Sequence, residues 1–164
     1  MFFDDLSTYR YGIPFELPSV LMIGWLDNEH GFPKGVVPSV VVEQLWKLIE
    51  LRSPLFDLHA NVVRGIHPCN LCGEVIKRGK SNGKRTLLGT SELWVPSKDK
   101  WFASPTLIVH YIEKHKYVPP KAFTDAVMNT ELSSRCIAQE VFELMCIPLM
   151  ETQRMERVSG EAQG

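Results

Sequence analysis

The chain has 164 residues, a net charge of -1, and a composition of 45% hydrophobic and 23% charged residues. This length can bury one substantial core, and this composition excludes a disordered chain. No apolar run approaches the ~20 residues that cross a bilayer, and residues 1–5 lack the basic and apolar pattern of a secretion signal. We therefore expect a cytoplasmic protein.

The first half of the chain predicts one strand and one helix. Residues 20–26 form the short apolar run of a buried strand, and Pro38 with Ser39 opens a helix that ends by Pro54. Apolar residues recur along this helix at the spacing of a stripe that faces a core. The stripe consists of Val42, Leu45, Trp46 and Ile49.

The second half predicts strands followed by helices. Ser104 and Pro105 are a favourable N-cap and first residue for a helix that runs to His115. A last helix is predicted over residues 131–147, and Pro148 should end it. The remaining predicted elements are strands at 87–88, 93–95 and 101–102 and a short helix that begins at Pro120.

Four residues have the spacing of a metal site. Cys69 and Cys72 form a Cys-x2-Cys knuckle, and His110 and His115 follow after 37 intervening residues. Two thiolates with two imidazoles favour zinc, and four protein ligands leave no position for water. The histidines point roughly 140° apart on an ideal helix, so both reach one ion only if the helix distorts near its end. The sequence predicts one structural zinc ion, and Glu113 is placed to accept a hydrogen bond from a ligand.

The order of knuckle, strands and histidine-bearing helix over residues 67–115 resembles a Cys2His2 zinc finger with an enlarged hairpin. The long insert between Cys72 and His110 departs from the usual finger. A wider set of segments also resembles an uncharacterised family of bacterial proteins, which implies no particular activity. These segments are Ile23-Gly24-Trp25-Leu26, His67-Pro68-Cys69 and Pro105-Thr106-Leu107-Ile108-Val109-His110-Tyr111.

Together the elements predict an α+β fold with a single globular domain over residues 1–150. Within it, residues 64–121 should form a zinc-stapled strand-and-helix unit, an extended ββα-like arrangement. This unit is expected to pack against helices from both ends of the chain. Residues 151–164 are polar and predict a flexible tail.

The charge is unevenly distributed, because residues 64–121 carry 11 Lys and Arg against 4 Asp and Glu. Such a basic module can attract an acidic partner, or its charges can simply be solvated. Our first hypothesis is a non-catalytic protein that binds another protein, such as a bacterial immunity-type or partner-neutralising protein. The alternative is nucleic-acid binding. The candidate contacts are Arg64, Lys77, Arg78, Lys80, Lys84 and Arg85, with Trp94, Trp101 or Phe102 able to stack on bases.

Catalytic patterns are incomplete in this sequence. Residues 68–72 match the second half of the zinc deaminase signature, but residues 59–61 offer Asn where that chemistry needs Glu. We therefore expect no enzyme activity, and a zinc-dependent enzyme is the third hypothesis. His67 is an alternative metal ligand, whereas His30 and His59 are predicted to be loop or core residues held by hydrogen bonds.

Overall fold

A computed structural model describes residues 1–79 and 85–161 of the chain. Its helices and strands form an α+β arrangement, which confirms the predicted fold class. In chain order the elements are β1 (Thr8–Tyr9), β2 (Leu17–Met22), α1 (Ser39–Glu50), β3 (Phe56–Asp57), β4 (His59–Ala60), β5 (Lys77–Gly79), β6 (Arg85–Leu87), β7 (Glu92–Pro96), β8 (Trp101–Pro105), α2 (Ile108–His115), α3 (Lys121–Asn129), β9 (Cys136–Ile137) and α4 (Ala138–Glu161).

The central sheet has the strand order β1-β2-β8-β7-β4 and joins both halves of the chain. β2 and β8 are parallel, whereas β7 pairs antiparallel with both β8 and β4. The carboxyl ends of β2, β4 and β8 therefore lie at the same end of the sheet, next to the start of β7. Parallel pairing requires a long crossover, and α1 lies in the connection between β2 and β8. Two smaller sheets pair β5 with β6 and β3 with β9.

The central sheet is covered on both faces. Alternating residues of a strand point to opposite faces, so Val95 and Phe102 pack with α1, α2 and α3, while Trp94 and Ala103 pack with β1 and α4. Burial on both faces explains why these strands are continuous apolar runs in the sequence. None of the described helices combines the length and the apolar character needed to cross a membrane.

The first helix follows its sequence prediction closely. α1 begins at Ser39, and Leu45, Trp46 and Ile49 are buried in the core as the apolar stripe predicts. Val42 is only half-buried and packs at the edge of this core. The predicted strands at 93–95 and 101–102 are also confirmed, as parts of β7 and β8.

Two boundaries are wrong in the sequence prediction. The strand predicted at 20–26 is β2, which ends at Met22 because Gly24 turns the chain with a φ of +67°. Ser104 and Pro105 do not open a helix. They are the last residues of β8, where Ser104 is fully buried and pairs with Leu93 of β7. Cross-strand pairing thus outweighs the local capping signal, and α2 begins only at Ile108.

The C-terminal helix also differs from its prediction over 131–147. Residues 136–137 are β9, so α4 begins at Ala138, and it continues through Pro148 to Glu161. Proline removes one helical hydrogen bond and bends a helix, but it does not have to end it. The Thr152 hydroxyl donates to the carbonyl of Pro148 at 2.9 Å, within the continuing helix. The predicted flexibility of residues 151–164 and the domain limit at 150 stay predictions.

Candidate metal centre

The knuckle between the two cysteines is closed by its own backbone. Gly73 has a φ of +74°, and its N–H donates to the carbonyl of Cys69 at 2.7 Å. The Cys69 N–H in turn donates to the carbonyl of Glu74 at 2.9 Å. The backbone N–H groups of Leu71 and Cys72 donate to the sulfur of Cys69. These hydrogen bonds bring the two cysteines of the knuckle close together.

The two histidines come from the helix that follows β8. His110 is buried within α2, and His115 is its last residue. Lys116 then adopts the left-handed conformation with a φ of +60°, and its N–H caps the helix at the carbonyl of Tyr111. The helix therefore ends where the sequence analysis requires a distortion, and His115 can turn toward the same point as His110.

The four predicted ligands meet at one place. Their ligand atoms all lie within 4.8 Å of one another. The Sγ of Cys69 is 3.4 Å from Nε2 of His115, and the Sγ of Cys72 is 3.4 Å from Nε2 of His110. Zinc at about 2.3 Å from sulfur and about 2.0 Å from nitrogen, with tetrahedral angles, puts such pairs about 3.5 Å apart. The donor set and its spacing therefore fit zinc.

Burial shifts the pKa of the two histidines and of Cys69 in opposite directions. It lowers the pKa of His110 and of His115, which favours the neutral imidazole that binds metals. It raises the pKa of Cys69, whose side chain is 1% exposed, so the thiol is the stable form without a cation. A bound zinc ion would stabilise the thiolate instead, which couples metal binding to proton release.

The carboxylates nearest in sequence to the ligands are Glu74 and Glu113, and Glu74 is hydrogen-bonded to the side chain of Cys72. Glu74 accepts a hydrogen bond from Nζ of Lys114 at 3.1 Å. Glu113 accepts from Nε1 of Trp46 at 3.3 Å, and a hydrogen bond from a metal ligand to Glu113 stays a prediction. Its position on α2 directs it toward α1 instead of toward the knuckle.

The remaining histidines lie outside the four-residue cluster. His67 is exposed and is not one of its members. His59 is buried, with Nδ1 2.7 Å from the hydroxyl of Ser91 and Nε2 2.9 Å from the carbonyl of Ile49. His30 lies in an exposed loop, with Nδ1 2.7 Å from Asp27. The predictions for His59 and His30 as hydrogen-bonded core and loop residues are confirmed.

The candidate contact residues are only partly brought together. Lys77, Arg78 and Arg85 are exposed on the β5–β6 hairpin, while Arg64 lies in an exposed loop before the knuckle. The guanidinium of Arg78 lies 4.3 Å from the ring centroid of Trp46. Lys80 and Lys84 lie outside the described residues. Of the proposed stacking residues, Trp94 and Phe102 are buried in the core and Trp101 is half-buried.

A second polar cluster lies at the start of β7, and no sequence pattern predicts it. Glu92 is 3% exposed and binds Tyr9, Asn61 and Trp94, and we call these four residues the Glu92 cluster. A carboxylate directly before the apolar segment Leu93-Trp94-Val95 was its only signal in the sequence. Its partners come from distant segments, which no local pattern reveals.

Comparison with known proteins gives a family. A model described as "Domain of unknown function (DUF7919)" matches residues 1–128, which include all four ligands of the metal centre. The searches of curated proteins and of solved structures find no significant match. The matched region covers most of the chain and ends within α3, before β9 and α4. The chain belongs to the DUF7919 family.

Proposed function

We propose that the protein is a small zinc-stabilised binding protein without catalytic activity, and that its partner is another protein. The supporting observation is the convergence of two sulfur and two nitrogen donors from the knuckle and from α2. Four such donors complete a tetrahedral shell, which is the pattern of structural zinc sites. The ion then acts as a staple between two segments that are far apart in the sequence.

A catalytic zinc needs an exchangeable water and a group that moves its proton. Glu74 contacts Cys72, but its pair with Lys114 lowers its pKa and makes it a weaker base, while Glu113 bonds to Trp46. Two thiolates also donate charge to the ion and make it a weaker Lewis acid. We therefore expect no hydrolase or deaminase activity that depends on the metal.

The decisive test of the staple is the composition and coordination of the purified metal site. Elemental analysis of protein prepared without chelators should give about one zinc per chain. X-ray absorption should show two sulfur and two nitrogen ligands, at about 2.3 Å and about 2.0 Å. Absence of zinc would refute the proposal, and an oxygen ligand in the shell would favour an enzyme.

The partner-binding part of the proposal is supported by the surface next to α1. Val36 is 92% exposed and lines the same surface depression as Trp46 and Arg78, and Val40 is 51% exposed on the first turn of α1. Tryptophan and arginine are the residue types that contribute most often to binding energy at protein interfaces. We propose a bacterial immunity-type or partner-neutralising role, in which this surface covers a toxin encoded beside the gene.

This role can be tested by co-expressing the neighbouring gene product and measuring complex formation by analytical ultracentrifugation. Val36→Asp with Val40→Asp should weaken the complex at least tenfold. Leu144→Asp is the matched control, because Leu144 is 70% exposed but lies on α4, which packs on the opposite face of the sheet. If the double variant binds with unchanged affinity, this surface is not the interface. If no complex forms with the unmodified protein, the immunity role is contradicted.

Nucleic-acid binding is the second candidate, and one observation favours it. Lys77, Arg78 and Arg85 project from a single two-stranded hairpin, where they can contact phosphates. The burial of Trp94 and Phe102 removes two of the expected stacking residues, so binding should depend mainly on charge. A gel-shift titration at several salt concentrations tests this candidate, since phosphate contacts give a steep salt dependence.

A further inference from the structure

A pocket of about 260 Å3 lies at the end of the central sheet where β2, β4 and β8 end and β7 begins. Trp25 follows β2, Asn61 follows β4, Pro105 ends β8 and Glu92 begins β7, and all four line the pocket. Ligands commonly bind beyond the carboxyl ends of parallel strands, because loops from several strands converge there. The pocket thus occupies a favourable position in the fold for a small ligand.

The walls of this pocket are mainly apolar and aromatic. The rings of Tyr11 and Trp25 lie side by side with centroids 4.4 Å apart, and aromatic faces attract cations. Glu92 is the one carboxylic acid among the lining residues. The N-terminal ammonium of Met1, which also lines the pocket, lies 3.8 Å from the carboxylate of Asp27. His67, which is exposed, is the basic side chain among the lining residues, and none of the ion pairs within residues 1–79 and 85–161 includes Glu92.

The hydrogen bonds of Glu92 leave room for one more donor. Its Oε1 accepts from the Tyr9 hydroxyl and from Nδ2 of Asn61, each at 3.0 Å, and its Oε2 accepts from Nε1 of Trp94 at 2.8 Å. An ionised carboxylate offers about four acceptor positions, so one position on Oε2 remains among the described contacts. Burial raises the pKa of Glu92 to about 7, and a bound cation would favour its ionised form.

Asn61 contacts both Tyr9 and Glu92 from a left-handed backbone conformation. Its φ of +50° lies in the left-handed region, and its N–H donates to Oε1 of Gln139 at 2.8 Å. Its side chain donates to both Tyr9 and Glu92 at 3.0 Å. Asparagine tolerates the left-handed region better than most residues, and these hydrogen bonds fix its side chain there. Asn61 therefore positions the carboxylate at the wall of the pocket.

We propose that this pocket binds a small organic cation, an amine or guanidinium carried on an apolar or aromatic body, with Glu92 as its counterion. Tyr11 and Trp25 form the aromatic wall beside the charged group. The inference is independent of the metal centre and of the partner protein. A pocket of about 260 Å3 has room for a small aromatic amine. Phenethylamine has a suitable size and charge as a probe.

The test is a calorimetric titration of the zinc-loaded full-length protein at a pH above the pKa of Glu92. The ligands are phenethylamine, its neutral analogue 2-phenylethanol and the anion phenylacetate. We expect the amine to bind at least tenfold more tightly than either analogue, because they lack the charged hydrogen bond to Glu92. Equal affinities for amine and alcohol, or lack of amine binding at millimolar concentration, would overturn the proposal.

Two pairs of variants locate the site. Glu92→Gln should weaken amine binding at least tenfold and leave alcohol binding unchanged, with the exposed Glu131→Gln as its control. If Glu92→Gln does not fold, Val63→Trp decides, because Val63 lines the pocket and is 41% exposed. It should abolish amine binding, whereas Val62→Trp at the adjacent exposed residue should stay within twofold of the unmodified protein. An amine that binds Val63→Trp normally occupies another site, which contradicts the proposal.

Discussion

The metal centre and the Glu92 cluster are two buried polar sites, and they are stabilised by opposite means. In the metal centre, each cysteine sulfur lies 3.4 Å from a histidine nitrogen, and the four ligand atoms lie close enough together to bind one cation. In the Glu92 cluster, the carboxylate receives three hydrogen bonds from neutral protein donors. The stability of the metal centre should thus depend on a bound ion, and the stability of the Glu92 cluster on the protonation state of Glu92.

The two sites also lie in different parts of the fold. The metal centre connects the knuckle to α2 beside the core formed by α1, α2 and α3. The Glu92 cluster joins β1, β7 and the end of β4 on the face that α4 covers. The two sites have no residue in common, but the His67 N–H donates to the carbonyl of Gly89 near the start of β7, so changes at the two sites should be partly coupled.

The largest effect is expected from breaking the metal centre. Cys72→Ser should remove most of the zinc, because the apparent binding energy of structural zinc in finger peptides is ~10–16 kcal/mol and is coupled to folding. Even about 5 kcal/mol of lost stability would lower the Tm by about 10–20 °C for a chain of this size. Zinc content and thermal unfolding measure both consequences.

Cys136→Ser is the control for this change, since Cys136 is half-buried in β9 and lies outside the cluster. It should keep one zinc per chain and shift the Tm by only a few degrees. A Cys72→Ser protein with full zinc content and an unchanged Tm would show that Cys72 is not a ligand.

Gly89 connects the two regions, and its replacement should have the next largest effect. It has a φ of +78°, and a Cβ atom there would lie 2.1 Å from the carbonyl oxygen of His67. That clash would push away the loop that leads into the knuckle and lines the pocket. Gly89→Ala should cost about 3–4 kcal/mol, whereas Gly12→Ala, with a φ of +70° and open space around it, should cost about 1 kcal/mol. Similar costs in denaturant titrations would contradict this account.

The Glu92 cluster predicts a specific pH dependence of stability. Burial raises the pKa of Glu92 from 4.5 to about 7, so the folded protein retains a proton that the unfolded chain releases. Stability should therefore fall as the pH rises from 4.5 to about 7, by up to about 3 kcal/mol. The measurement is the difference in unfolding free energy between the unmodified protein and Glu92→Gln, with zinc in excess throughout. Parallel pH curves for the two proteins would show that Glu92 does not titrate in this range.

The metal centre could be predicted because each ligand carries its chemistry in its residue type and in a short spacing. The Glu92 cluster could not, because Tyr9, Asn61 and Glu92 meet only after β1, β4 and β7 have joined one sheet. The predicted helix start at Ser104 failed for a related reason, since a long-range strand pair overrode a local capping signal. Pro148 was misjudged because helix continuation through a proline depends on the structure around it and not on the proline alone.

The smallest predicted effect concerns Arg78, which the sequence offers as a free contact for a partner. In the structure its guanidinium packs over the ring of Trp46, 4.3 Å from the ring centroid, so this cation–π contact contributes to the stability of the fold. Arg78→Ala should lower stability by about 0.5–1 kcal/mol, as expected for a cation–π contact near the surface. Lys77→Ala, at the adjacent residue of β5, should change stability by less than about 0.5 kcal/mol. If the two variants lose equally little unfolding free energy in chemical denaturation, Arg78 leaves the ring in solution and is free to contact a partner. A larger loss for Arg78→Ala alone would leave Lys77 and Arg85 as the accessible charges of the described part of the hairpin.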